Sequence, residues 1–181
     1  MQNIILKIEN EDFEVDKYTN IECFAFGCQH SFDFLVKAIA DIKKRNKIAL
    51  IYGENSAKLC RQLDADGAII DLSSSEHIKK DFEEAKKDAG KYKTFGVICR
   101  SRRHETMLIA ECEPDFIIFK VGNELTEKQK ELFDWYQEFF LIQDAANLVG
   151  EDLCKEHLNV DILMINEKKY KILVAMKRIL E

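Results

Sequence analysis

Four basic side chains follow a short apolar run near the middle of the chain. The run is Thr94–Cys99, and Arg100, Arg102, Arg103 and His104 come just after it. Guanidinium groups bind phosphate and carboxylate oxygens through paired hydrogen bonds, and a helix N-terminus adds a dipole that favours an anion. The pattern predicts an anion site with Arg100, nearest the run, as its first candidate. The alternative is a solvated first helical turn.

Carboxylate and amide side chains lie at the ends of other apolar runs. Glu54 and Asn55 follow the run Ile48–Gly53, and Asp71 lies near the end of Gly67–Leu72. Such oxygen ligands suit a hard cation, but exposed carboxylates more often pair with lysine or arginine. We therefore expect no bound metal and keep Glu54, Asn55 and Asp71 as weak candidates.

The elements that position these residues begin with one strand-helix-strand unit. Thr94–Cys99 is too short for a helix and has the composition of a strand buried on both faces. Ser101 stands at a helix N-cap position, and Pro114 ends that helix before a second buried run, Phe116–Val121. A crossover of this kind makes the strands parallel, so their C-terminal ends lie on one side.

Eight short apolar runs occur in all, and in three of them an aspartate comes immediately before the apolar residues of the strand. Asp66, Asp115 and Asp161 recur at intervals of 49 and 46 residues, about the length of two β/α units. This predicts one domain, residues 1–181, folded as a small (β/α)8 TIM barrel with eight parallel strands. The short gap after the first run predicts a first helix that is short or missing. The runs are Asn3–Ile8, Ile21–Gly27, Ile48–Gly53, Gly67–Leu72, Thr94–Cys99, Asp115–Val121, Glu138–Gln143 and Val160–Asn166.

Helix boundaries between these runs carry recognisable signals. Ser31 precedes an amphipathic stretch, while Ser73 with Glu76 and Thr126 with Gln129 match the capping-box pattern. A closing helix is predicted from apolar residues at helical spacing. Those residues are Ile172, Leu173, Met176, Ile179 and Leu180.

Composition narrows the function classes. A net charge of −6 disfavours nucleic-acid binding, and no apolar run is long enough to span a membrane. We expect a cytoplasmic protein with reduced thiols, because the six cysteines show no CxxC spacing and no secretory signal is recognised. Seven glycines and one proline are few, which counts against a glycine-rich phosphate cradle.

Several segments together resemble the thiamine-phosphate synthase family, which includes thiazole tautomerase relatives. The resemblance covers roughly residues 21–170, and within the family the sequence resembles the divergent alphaproteobacterial version. The segments that carry it are Gly96-Val97-Ile98-Cys99 with Ser101-Arg102-Arg103-His104, Pro114-Asp115-Phe116-Ile117-Ile118-Phe119, Ala49-Leu50-Ile51, Leu63-Asp64-Ala65-Asp66-Gly67, Leu132-Phe133-Asp134-Trp135-Tyr136 and Val160-Asp161-Ile162-Leu163-Met164-Ile165.

The resemblance implies a transferase that joins a pyrimidine diphosphate to a thiazole phosphate, with Mg²⁺ and a lysine holding the diphosphate. The family's residues do not carry over well. Its diphosphate-binding glutamine and lysine at the end of the second strand are replaced within Cys23–Cys28, and its Asn-Asp-Arg after the third strand falls on Glu54-Asn55-Ser56. Its two phosphate-binding turns fall on Gln143-Asp144 and Asn166-Glu167-Lys168. We therefore expect a catalytically impaired member with no cofactor, and Mg²⁺ only if the family activity persists.

The remaining expectation is a small phosphorylated or thiazole-like ligand at the C-terminal ends of the strands. The candidate binding residues are Arg100, Lys120, Gln143, Asn166 and Lys168. Two alternatives stay open: an active synthase or tautomerase-like enzyme that uses substituted residues, and a non-catalytic interaction module. A homo-oligomer also stays open.

Overall fold

The architecture is a closed barrel of parallel strands in sequential order, β1 to β8. The computed structural model describes residues 3–149 and 158–175, and within these ranges it contains eight strands. Their bounds are Asn3–Ile8 (β1), Cys23–Gly27 (β2), Ile48–Tyr52 (β3), Gly67–Asp71 (β4), Thr94–Cys99 (β5), Phe116–Val121 (β6), Gln143–Leu148 (β7) and Ile162–Asn166 (β8). The predicted small (β/α)8 TIM barrel is confirmed.

Helices connect most of the strands on the outside of the barrel. Between β1 and β2 the chain forms a single 3-10 turn, Val15–Lys17, so the prediction of a short or missing first helix is also confirmed. The α-helices within the described ranges are Phe32–Lys44 (α1), Ser56–Gln62 (α2), Ile78–Ala89 (α3), Arg103–Ala110 (α4), Glu127–Phe139 (α5) and Glu167–Ala175 (α6). Among the described helices, none combines the length and apolar character needed to cross a membrane.

The core has two layers because every strand buries both of its faces. One face packs against the helices, and the other fills the barrel interior with small and branched side chains. Gly67 and Gly96 allow neighbouring strands to pack closely in this interior, because neither position has room for a Cβ atom. A Cβ on Gly96 would lie 2.4 Å from the ring of Phe116, and one on Gly67 would lie 2.2 Å from the backbone oxygen of Thr94.

The repeated aspartates connect neighbouring strands at their N-terminal ends. Each precedes an even-numbered strand and accepts a hydrogen bond from a backbone N–H of the strand before it. The pairs are Asp66 with Ala49 at 2.8 Å, Asp115 with Phe95 at 2.6 Å and Asp161 with Asp144 at 3.2 Å. These hydrogen bonds fix the register of neighbouring strands at the N-terminal end of the barrel, which serves stability rather than ligand binding. The sequence repeat therefore has a structural role.

The helix signals had mixed outcomes. Thr126 and Gln129 form the predicted capping box. The box predicted at Ser73 and Glu76 is wrong, because the Ser73 N–H donates to Asp71 Oδ1 at 2.9 Å and α3 begins only at Ile78.

Two further helix predictions concern the start of α4 and the extent of α6. The N-cap position of α4 falls on Arg102 and not on Ser101. The closing helix is observed up to Ala175, and its predicted residues Met176, Ile179 and Leu180 lie outside the described ranges.

Candidate functional site

The C-terminal mouth of the barrel is lined by the last inward-facing residue of each strand. Side chains two positions apart on a strand face the same way, so the interior residues of the core identify the mouth residues that follow them. On odd-numbered strands these are Lys7, Tyr52, Ile98 and Asn147, and on even-numbered strands they are Gly27, Asp71, Lys120 and Asn166. Alternate strands supply each layer of such a barrel, so the two sets form successive layers.

Asp71 and Lys120 are paired in the upper layer. Lys120 Nζ lies 3.1 Å from Asp71 Oδ2, while Asp71 Oδ1 accepts the backbone N–H of Ser73 at 2.9 Å. Burial opposes ionisation of Asp71, but the hydrogen bonds from Ser73 and Lys120 outweigh it and the pKa of Asp71 is lowered. Asp71, a weak metal candidate, and Lys120, an anion-binding candidate, therefore form an ion pair with each other.

Asn166 connects β8 to both neighbouring segments. Its Nδ2 donates to both carboxylate oxygens of Glu9 at 3.2 Å, and its Oδ1 accepts the backbone N–H of Lys169 at 3.0 Å, which caps α6. Lys169 is buried, with 4% of its surface exposed, and its Nζ donates to the Leu148 carbonyl at 2.9 Å. Lys168 is exposed and lines a groove outside the barrel, next to the 3-10 turn.

Arg100 is half-exposed at the end of β5, and a carboxylate already occupies its surroundings. Glu105 accepts the backbone N–H of Arg100 at 2.8 Å, and its second oxygen lies 3.9 Å from the guanidinium Nε. An anion at the start of α4 would have to displace this side chain. Arg103 instead packs over the Trp135 ring at 5.3 Å.

Glu54 and Asn55 follow β3 and are exposed to solvent. Asn55 has a left-handed backbone with φ of 62° and precedes α2 without a side-chain capping bond. Within the described residues, no cluster of three or more histidine, cysteine, aspartate or glutamate side chains could hold a metal ion.

The prediction that Gln143 follows the seventh strand is wrong. Gln143 is the first residue of β7, so it lies at the opposite end of the barrel and lines a mostly apolar cavity of about 410 Å³. The apolar segment assigned to that strand is the end of α5 and a connection, where Phe140 stacks on Tyr136 with ring centroids 4.8 Å apart. Gln143 therefore does not belong to the mouth.

Asp144, which the sequence analysis also placed past the seventh strand, is buried at this lower end. Its Oδ1 accepts Gln137 Nε2 at 2.6 Å and the Asp161 N–H at 3.1 Å. Its Oδ2 has no hydrogen-bond partner among the described residues. Burial, chiefly, raises the pKa of Asp144 to about 6.

Sequence reasoning missed Lys7, Tyr52, Asn147 and Lys169. Lys7 and Tyr52 lie within or at the end of apolar runs and were counted as strand residues, and Asn147 lies in a strand that was placed too early. An alternation count along each run would have placed Lys7 on the same face as Ile5 and Tyr52 on the same face as Leu50. Lys169 gives no such signal, because its burial depends on where α6 packs.

Comparisons with known proteins support the fold. A variant of the citrate synthase SbnG has a TM-score of 0.60 at 11% identity and covers 98% of this chain and 91% of its own. A ligand-free tryptophan synthase from M. tuberculosis, with a substitution in TrpA, has a TM-score of 0.58 at 9% identity and covers 96% of this chain and 86% of its own. No protein-family model and no curated protein sequence matches the chain.

Identities this low show the fold alone. The chain is a (β/α)8-barrel protein, and it shares that fold with two synthases. This fold hosts many unrelated functions, so it does not by itself assign one to the mouth of the barrel.

Proposed function

We propose that this protein is a thiamine-phosphate synthase-like barrel with an impaired synthase reaction that binds a small anionic ligand at its C-terminal mouth. The observation that carries the proposal is the 3.1 Å pair between Asp71 and Lys120. A synthase needs a carboxylate free for Mg²⁺ and a cation free for the diphosphate. Here the two groups neutralise each other.

The surrounding charges support the same conclusion. Glu9 is at the mouth, held by Asn166, and Glu105 occupies the N–H at the start of α4. These carboxylates repel a second phosphorylated reactant, whereas Lys120, half-exposed in its pair with Asp71, can exchange that partner for a single small anion. Binding one anion is therefore easier for this mouth than binding a diphosphate and a phosphate together.

The first experiment measures the synthase reaction directly. Purified protein is incubated with the pyrimidine diphosphate, the thiazole phosphate and Mg²⁺, and we expect no thiamine phosphate above background. Product formation would contradict the impairment and favour the alternative, an active synthase that uses substituted residues.

The second experiment measures anion binding through thermal stability. A ligand at 100 times its Kd stabilises the folded state by about 2.7 kcal/mol, so phosphate, pyrophosphate and thiamine phosphate are each titrated over a wide range. We expect stabilisation that grows in Asp71→Asn, where Lys120 is freed, and shrinks in Lys120→Met. Lys58→Met is the matched control, because Lys58 is also exposed and paired, 3.9 Å from Asp88. No stabilisation of the wild type by any of the three anions would contradict the binding proposal.

A further inference from the structure

Lys7 is a lysine inside the mouth of the barrel, and its surroundings differ from those of a surface lysine. It lies on β1, two residues after the interior residue Ile5, and pairs in register with Asn166 on β8. Its side chain is partly buried, so a small molecule that enters the mouth reaches it. Below it lies the apolar interior of the barrel.

The electrostatic environment favours the neutral amine of Lys7. Burial lowers the pKa of Lys7, and the charge of nearby Lys169 lowers it further, while Glu9 opposes both effects. A desolvated lysine next to a second cation is an arrangement that activates an amine as a nucleophile. By contrast, Lys120 in the next layer is held in its ion pair with Asp71.

Asn147 gives independent evidence that a ligand belongs in this layer. Only 8% of Asn147 is exposed, yet its Oδ1 has no hydrogen-bond partner among the described residues. Leaving a buried acceptor without a donor is unfavourable, and a ligand hydroxyl would satisfy it. Tyr52 is in the same layer, and burial raises the pKa of its phenol despite the hydrogen bond with Gln29, so the phenol keeps its proton.

We propose that Lys7 forms an imine with a small carbonyl compound that also carries a hydroxyl group and an anionic group. The hydroxyl of this compound donates to Asn147 Oδ1. Its anionic group is inferred from the ligand class in the proposed function, so this part of the inference depends on that proposal. The lone pair of Lys7 Nζ attacks the carbonyl carbon, and a proton moves from nitrogen to the former carbonyl oxygen. That oxygen then leaves as water, with a second proton supplied by solvent, and the C=N bond forms as the protonated imine.

The imine is tested by reductive trapping on the full chain. Dihydroxyacetone phosphate supplies the carbonyl, the hydroxyl and the phosphate, and sodium borohydride supplies the hydride that converts the imine into a stable secondary amine. Peptide mapping by mass spectrometry then measures the modified fraction at every lysine. Because burial lowers the pKa of Lys7 and so raises its neutral fraction, we expect severalfold more adduct on Lys7 than on exposed Lys58.

Two variants sharpen the test. Lys7→Arg keeps the positive charge but forms no imine, and we expect it to lose the Lys7 adduct while it retains its circular dichroism spectrum. Asn147→Leu removes the unpaired acceptor, and we expect it to trap severalfold less adduct on Lys7. Because the adduct on Lys7 is also measured in the wild-type protein, a variant that fails to fold does not affect the main result.

Equal modification of Lys7 and Lys58, or none at Lys7, would overturn the imine. Its failure is distinguishable from failure of the proposed function, because phosphate stabilisation is measured separately. Stabilisation without trapping rejects only the imine. Trapping of dihydroxyacetone phosphate without phosphate stabilisation supports the imine and rejects the general anion site.

Discussion

Asp144→Asn should make the protein more stable at neutral pH, although it removes a charged residue from a hydrogen-bonded position. Asp144 is fully buried, and its pKa is raised from 3.8 to about 6, first by burial and also by the charge of Asp161. Its Oδ2 has no partner among the described residues. Ionisation of this carboxyl in the folded state therefore costs free energy that the unfolded chain does not incur.

The magnitude follows from the two pKa values. Each unit of difference corresponds to about 1.4 kcal/mol, so a rise from 3.8 to about 6 corresponds to roughly 3 kcal/mol. Because the folded-state pKa is raised, the protonated Asp144 carboxyl contributes stability that the ionised form lacks. This contribution is fully present below pH 3.8 and is lost as the pH rises through about 6. Asparagine keeps an oxygen for Gln137 and for the Asp161 N–H, and it adds an N–H₂ group that can donate to the Asp161 carboxylate.

The assay is urea unfolding of wild type and Asp144→Asn across this pH range. At each pH the free energy of unfolding of the wild type is subtracted from that of the variant. We expect this difference to be larger by about 2–3 kcal/mol at neutral pH than at about pH 4. The other carboxylates titrate in both proteins and cancel in the difference. Asp134→Asn, an exposed control on α5, should show no such pH-dependent difference. If the difference between Asp144→Asn and wild type were constant with pH, the reasoning about the buried carboxylate would be refuted.

Three further predictions concern stability, each measured by urea unfolding. Gly67→Ala should cost about 1–3 kcal/mol or more, because its Cβ meets backbone, while Gly122→Ala, with open space around it, should be near neutral; similar values would contradict the packing argument. Asp115→Ala should cost about 1–3 kcal/mol, because it leaves the Phe95 N–H without its carboxylate, and an unchanged midpoint would show that this hydrogen bond contributes nothing. Thr126→Ala should cost about 1 kcal/mol, and Thr126→Ser should recover most of it if the capping box is responsible.

Two of the apolar runs, Asn3–Ile8 and Thr94–Cys99, match the observed strands to the residue. The run that failed, Glu138–Gln143, shows the limit of composition. Its Phe139 and Leu141 are exposed, whereas β7 is built from small and amide residues that carry little hydrophobic signal. Asp144 and Asp161 pin the start of β7 by reciprocal backbone bonds, a long-range constraint that a local pattern does not contain.

Local chemistry determined the capping box at Thr126, because both partners lie within one helical turn. The same local pattern gave a wrong prediction at Ser73, where the N–H donates to the Asp71 carboxylate and α3 begins only at Ile78. The same capping pattern therefore gave different outcomes at Ser73 and Thr126, and at Ser73 a competing acceptor lies two residues upstream.

The sequence by itself determined the strand-helix alternation, the closed barrel and the shortened first connection, because hydrophobic periodicity and segment length are local properties. Only the tertiary structure decided which side chains share the mouth. The pairing of Asp71 with Lys120, the burial of Lys169 and the unpaired Asn147 oxygen all depend on how eight strands are staggered around one axis. That stagger brings together residues far apart in the chain, and their charges and pKa values follow from the neighbours it supplies.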